Sequence, residues 1–109
     1  MSLKGRNGMI DWEFIRAAQL EARELEREHN VKVTCALQIA SPRSVIEVRT
    51  VAWEVAHDGT ERQLAAYARE WPSAQTETFG ATIFQAFVQL TRLVQDSRRG
   101  ELLEYSRQR

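Results

Sequence analysis

The chain has 109 residues, and its 15 Lys and Arg balance its 15 Asp and Glu, so the formal net charge is zero. Hydrophobic residues make up 43% of the chain, which is enough to form a core and argues against a disordered protein. The absence of net charge disfavours the strongly basic class of nucleic-acid binders. The length suits one domain with a modest core.

The cysteine content and the apolar runs indicate the compartment. Cys35 is the only cysteine, which excludes an intramolecular disulfide and the class of disulfide-stapled secreted domains. A reducing, cytoplasmic location is therefore expected. No apolar run approaches the ~20 residues of a membrane-spanning helix, so no membrane contact is expected. We expect residues 1–9 to be a flexible leader, 10–100 a single domain and 101–109 a C-terminal tail.

The first predicted element is a helix over residues 11–28, with Asp11 as its N-cap. Asn30 should end this helix, because Asn tolerates the left-handed conformation. At about 100° per residue, one arc of the helix is apolar and should face the core. That arc contains Phe14, Ile15, Ala18, Ala22 and Leu25.

Two strands follow, over residues 31–40 and 45–56. The first alternates cleanly, and its apolar parity includes Cys35, which should point into the core as an inert thiol. In the second strand the apolar residues change parity after Val48. Either both faces of this strand are partly covered, or a bulge near Arg49–Thr50 switches the phase. The bulge is the favoured interpretation.

A turn at Asp58–Gly59 precedes an ambiguous segment over residues 61–71. Thr60 to Gln63 fits a capping box, which favours a helix. The hairpin turn, and the marginal stability of a sheet with only two strands, favour a third strand. We favour the strand.

After a break at Pro72, a second helix is predicted over residues 75–96. Arg98 and Arg99 complement the negative end of this helix, and Gly100 is its predicted C-terminal cap. Its main apolar stripe should face the core. That stripe contains Phe79, Ile83, Ala86, Leu90 and Leu93.

The element order predicts an α+β fold, α-β-β-(β)-α, with two helices packed on one face of an antiparallel sheet. Over nearly the whole chain, this order resembles the topology of the double-stranded RNA-binding domain. That resemblance implies a lysine cluster at the start of the second helix, where the family grips RNA phosphates. The corresponding segment, Ser73 to Thr78, contains no Lys or Arg, so the resemblance covers the topology and not the RNA contact.

No catalytic or metal-binding constellation is evident. A Cys/His nucleophile would need Cys35 beside His29 or His57, and Cys35 is expected in the core. Two Glu-x-x-His pairs have the spacing that places two metal ligands on one face of a helix. They are Glu26 with His29 and Glu54 with His57. However, the second pair lies on a predicted strand, where residues three apart face opposite ways, and the first lies at a helix end. We therefore expect no enzyme, no metal and no cofactor.

The second helix predicts a partner. Phe84 and Val88 form an i,i+4 pair on the side away from the main stripe. A helix that is apolar on two sides is either deeply buried or shared with a partner. The alternative is that the C-terminal tail folds back over this side. We favour a homodimer or a protein partner docked on Ala81, Phe84, Val88 and Thr91.

The arginines provide an alternative function. Arg16, Arg23 and Arg27 lie within about 40° of one another on the first helix. With Arg98 and Arg99 they are the candidate nucleic-acid contacts. Each of the three has a glutamate three residues away, which favours local ion pairs. The expected function is thus a non-enzymatic, self-associating interaction module, with nucleic-acid binding as the disfavoured alternative.

Overall fold

The computed structural model describes residues 12–40, 45–71 and 77–107, and over these residues the chain forms two helices and three strands. The three strands form an antiparallel sheet in the order β1-β2-β3. This confirms the predicted α+β fold and decides in favour of a strand over residues 61–71. In chain order the elements are α1 (Trp12–His29), β1 (Lys32–Ala40), β2 (Val45–Val55), β3 (Glu61–Trp71) and α2 (Phe79–Arg107).

The two helices run parallel to each other. Three contacts follow in the same order along both helices: the rings of Phe14 and Phe84 have centroids 5.7 Å apart, and Thr91 Oγ1 donates to Glu21 Oε2 at 2.9 Å. The third contact is from Arg98 Nη2 to the carbonyl of His29, at 3.0 Å. The sheet explains this direction. The chain reverses at each of the four connections between successive elements, so α2 runs in the same direction as α1.

The core lies between α2, the sheet and α1. Thr50 marks the side of the sheet that faces the helices, because its buried Oγ1 lies 3.4 Å from the carbonyl of Ala86 on α2. α2 packs on β2 and β3, whereas α1 packs mainly on α2. Each large apolar side chain buried here contributes roughly 1.5–3 kcal/mol. The buried cluster consists of Ala18, Leu25, Val31, Ala52, Phe87, Leu90 and Val94.

The bulge predicted at Arg49–Thr50 is wrong. β1 and β2 pair without interruption from Lys32 opposite Trp53 to Ala40 opposite Val45. The register shifts instead between β2 and β3, beside Ala52, where Leu64 is the additional residue.

The other interpretation of β2 accounts for its pattern, because both of its faces are covered in places. Val48 and Ala52 are buried beneath the helices, and Val51, on the opposite face, is only 9% exposed. Trp53 shares that opposite face, where its Nε1 donates to Thr34 Oγ1 at 3.0 Å. Apolar residues therefore occur at both parities without any change of phase in β2.

The helix ends are set by local hydrogen bonding. Asn30 ends α1 with a positive φ of 53°, as predicted. Thr78 caps α2, since its Oγ1 accepts the Ala81 N–H at 3.1 Å and its carbonyl accepts the Thr82 N–H at 2.9 Å. Gly100 does not end α2, which continues to Arg107. A glycine costs only about 1 kcal/mol inside a helix, and strong helix formers follow it in the sequence.

Several predictions concern parts of the chain outside the described residues. These are the leader over residues 1–9, the N-cap at Asp11 and the break at Pro72, together with the side chains of the tail. Among the residues that are described, neither helix combines the length and the apolar character that a bilayer crossing requires.

A candidate protein-binding edge

One row of apolar side chains on β1 is left uncovered on the helix side of the sheet. Leu37 is 52% exposed, Ile39 is 75% exposed and Cys35 is also exposed. Their partners on β2 are Val48, Ile46 and Thr50, of which Val48 and Thr50 are completely buried beneath the helices. We call Cys35, Leu37 and Ile39 the β1 strip.

The prediction that Cys35 lies in the core is wrong, and the position of α1 gives the reason. The parity of Cys35 does direct it to the helix side, but α1 meets β1 only near the start of the strand, where Val31 is buried and Glu26 contacts Val33. The rest of α1 leans on α2, so neither α1 nor α2 covers the second half of β1.

The Cys35 thiol is nonetheless a poor nucleophile. Partial burial among its neighbours disfavours the thiolate and raises the pKa of Cys35 above its ordinary value of 9.0. At neutral pH the side chain is therefore a neutral thiol. Its place in the strip is that of a small apolar residue.

The backbone of β1 presents a free edge next to this strip. The N–H of Val33 donates to Glu26 Oε2 at 3.0 Å, so it points away from β2. Peptide directions alternate along an antiparallel strand, and the pairing of β1 with β2 has no bulge. Cys35, Leu37 and Ile39 therefore also direct their N–H and C=O groups outwards, along the edge that β2 does not occupy.

The two edges of the sheet differ in charge. From Thr34 to Ala40, β1 has neither a charged residue nor a proline. β3, at the other edge, carries Glu61, Arg62, Arg69 and Glu70. Charged side chains are the usual protection of a sheet edge against pairing with another strand. β3 carries such charges at both of its ends, whereas the second half of β1 carries none.

The β3 edge is also tied to the start of α2. The Arg69 guanidinium binds the carboxylate of Glu77, with Nε to Oε2 at 3.1 Å, and this ion pair raises the pKa of Arg69. Trp71 Nε1 donates to the carbonyl of Glu77 at 2.8 Å, and its ring packs edge-on against Phe79. These contacts join one end of β3 to the start of α2.

The predicted interface on α2 lies on the side of the helix that faces α1. Phe84 packs on Phe14, and Thr91 bonds Glu21, so α1 occupies part of this surface. All four residues are half-buried, and the role of this surface as an interface stays a prediction. The four residues are Ala81, Phe84, Val88 and Thr91.

The candidate nucleic-acid arginines differ in their exposure and in their partners. Arg27 pairs with Glu24 at 2.6 Å, as the spacing predicted, and Arg99 lies 3.8 Å from Asp96. Arg98 is half-buried between α1 and β2. The remaining two, Arg16 and Arg23, are exposed on α1.

Arg98 belongs to a cluster that joins four elements, α1, α2, β2 and β3. Its guanidinium binds the His29 carbonyl at the end of α1 and the Glu54 carboxylate on β2, which also binds Arg62. The hydrogen bond from Arg98, followed by the contacts with Arg62, holds the pKa of Glu54 below its ordinary value. Glu54 is thereby kept ionised as a structural link between β2 and both helices.

The described residues contain no group of three or more His, Cys, Asp or Glu side chains placed to hold a metal ion. Glu26 and His29, which have the spacing of a metal-ligand pair, form structural hydrogen bonds. The Glu26 carboxylate accepts the Val33 N–H, and the His29 carbonyl accepts a hydrogen bond from Arg98. Comparison with known proteins finds no protein family, curated protein or solved structure that matches this chain.

The free edge of β1 is not among the sites expected from the sequence, although the sequence carries a signal for it. A meander of three strands leaves its first and third strands as edges, and the uncharged run from Thr34 to Ala40 is visible in the sequence. Its alternation alone predicts only a strand that is covered on one side.

Proposed function

We propose that this protein is a non-enzymatic protein-binding module that binds an extended protein segment by adding it as a strand to the free edge of β1. The observation that carries the proposal is the uncharged edge from Thr34 to Ala40 with Leu37 and Ile39 exposed beside it. In this mode of recognition, backbone hydrogen bonds supply affinity and alternate side chains supply specificity.

The β1 strip defines the chemistry of the partner. Covering Leu37 and Ile39, which are half and three-quarters exposed, would contribute roughly 2–4 kcal/mol together, since full burial of such a side chain contributes about 1.5–3 kcal/mol. No charge on β1 from Thr34 onwards can pair with a charged ligand. The preferred segment is therefore uncharged, extended and apolar on alternate residues.

The same features favour protein over nucleic acid as the partner. Nucleic-acid affinity depends on cations that neutralise phosphates. The strip has none, the chain has zero net charge, and Arg27 and Arg98 are held in ion pairs.

A labelled peptide tests the proposal directly. The probe repeats residues 34–40, with Ser in place of Cys and one Lys at each end, and carries fluorescein. Its fluorescence anisotropy is measured as the full chain is titrated to several hundred micromolar. We expect saturable binding in the micromolar range and no binding of the same peptide N-methylated at every residue from 34 to 40, which has no N–H left on either edge to donate to β1.

Two variants locate the binding edge. Leu37→Pro removes an outward N–H while leaving the ladder to β2 intact, so it should abolish peptide binding. Gln38→Lys, on the adjacent residue and the opposite face, should bind as the wild type does. The proposal fails if the wild type neither binds the peptide nor self-associates through β1, or if Leu37→Pro binds normally. Salt-dependent binding of a single- or double-stranded oligonucleotide, unchanged in Leu37→Pro, would replace it with the nucleic-acid alternative.

A further inference from the structure

We infer that the segment bound at this edge is β1 of a second copy of the chain, paired antiparallel about a two-fold axis at Leu37. The inference rests on the proposed function and names its partner. The pairing would join two three-stranded sheets into one sheet of six strands, with all four helices on the same face.

The outward backbone groups determine the register. In an antiparallel pair, two residues exchange both of their hydrogen bonds when both direct their N–H and C=O groups at each other. On the free edge those residues have odd numbers, and the first of them, Val33, already donates its N–H to Glu26. Cys35, Leu37 and Ile39 remain.

These three residues are complementary to their own copies in one register. Leu37 lies opposite Leu37 of the second copy, and Cys35 lies opposite the other copy's Ile39. Each of the three resulting pairs exchanges two hydrogen bonds. Every outward group of the β1 strip is then paired, and Val33 keeps its bond to Glu26.

The side chains match in the same register. Pairing of odd residues with odd residues keeps the apolar strips of both copies on the helix side, where Leu37 meets Leu37. On the opposite side, Ala36 meets Gln38 of the second copy. No like charges meet, because Thr34 to Ala40 has none. A closed two-fold contact of this kind also uses the same surface of both copies and leaves no further edge on β1.

The contact is short, which sets the expected affinity. Seven paired residues extend over about 24 Å of strand. A single strand edge of this length with two exposed apolar side chains per copy belongs at the low end of specific interface sizes. We therefore expect a monomer–dimer equilibrium with a Kd in the micromolar range.

Sedimentation velocity between about 1 and 500 µM tests the dimer. The wild type should shift from monomer to dimer over this range. Leu37→Lys places two ammonium groups opposite each other on the axis and should weaken association at least a hundredfold. Gln38→Lys adds the same charge one residue away on the open face and should dimerise as the wild type does. Far-ultraviolet circular dichroism checks the fold of each variant, which we expect to be unchanged because Leu37 is half exposed.

Disulfide cross-linking tests the register. In a Cys35→Ser background, Leu37→Cys brings two thiols to opposed positions with Cα atoms about 5.5 Å apart, within the range of a disulfide. Mild oxidation should therefore yield a covalent dimer. In the wild type, Cys35 and its copy lie four residues apart along the strands, about 14 Å, and should not cross-link.

Several results would overturn the inference. They are a wild type that stays monomeric at 500 µM, a dimer that Leu37→Lys leaves intact, and a wild-type Cys35 that cross-links faster than Leu37→Cys. A monomer that still binds the labelled peptide would refute the second copy as partner while leaving the proposed function standing. A monomer that binds no peptide would refute both.

Discussion

Truncation of either ring of the Phe14–Phe84 pair should destabilise the fold at every protein concentration. The ring centroids are 5.7 Å apart with a tilt of 43°, and the pair joins the first half of α1 to α2. A fully buried Phe costs about 3–5 kcal/mol when changed to Ala. Phe84 is half-buried against the core and Phe14 is 37% exposed, so we expect about 2 kcal/mol for each single change.

A double-mutant cycle separates the ring contact from simple burial. Tilted aromatic pairs contribute about 0.5–1.5 kcal/mol beyond the area that they bury. Phe14→Ala and Phe84→Ala together should therefore cost about 1 kcal/mol less than the sum of the two single changes. Urea unfolding followed by circular dichroism measures all four proteins. The free energy of unfolding falls by about 1–2 kcal/mol per molar urea for a protein of this size. Each single change should therefore lower the urea concentration at the unfolding midpoint by roughly 1–2 M.

The protein concentration provides the control for association. Unfolding at 2 and 100 µM should show the same loss in both single variants relative to the wild type at each concentration. Leu20→Ala, a truncation of a 57% exposed side chain on α1, should change the free energy of unfolding by less than about 0.5 kcal/mol. The reasoning is refuted if Phe84→Ala leaves the midpoint unchanged at low concentration. A loss seen only at high concentration would instead favour the α2 interface predicted from the sequence.

Three further predictions concern the turn, the ion-pair cluster and the thiol. Gly59→Ala should destabilise the fold by about 1 kcal/mol because φ is +89°, although its added Cβ would meet no atom within 4 Å; an unchanged midpoint would contradict this. The contacts that lower the pKa of Glu54 stabilise the fold at pH values above the ordinary pKa of 4.5. This contribution is lost as the pH falls through the lowered pKa of the folded state. Glu54→Gln should therefore be less stable at pH 7, and a stability gap that persisted at pH 2 would oppose the reasoning. Cys35 should react with iodoacetamide without denaturant, and the midpoint of its rate against pH should lie above 9.0, whereas a midpoint at or below 9.0 would show that its pKa is not raised.

Local chemistry explains why most elements could be predicted from the sequence. The alternation of β1, the left-handed Asn30 and the positive φ of Gly59 each depend on a residue and its immediate neighbours. The strand over residues 61–71 depends on more than its immediate neighbours. A capping box favours a helix there, whereas the marginal stability of a sheet with only two strands favours a third strand. The predicted end of α2 at Gly100 is wrong, because one glycine in a good helical sequence is a weak stop.

The sequence by itself determined the fold class and the face of the sheet to which each residue of β1 points. Period-two patterning assigns Cys35, Leu37 and Ile39 to the helix side as surely as it assigns the buried Val48. It does not show whether anything lies above them. Only the tertiary structure decided that α1 leans on α2 and leaves the second half of β1 uncovered, because helix packing depends on the combined shape of distant surfaces. The candidate binding edge is a consequence of that packing.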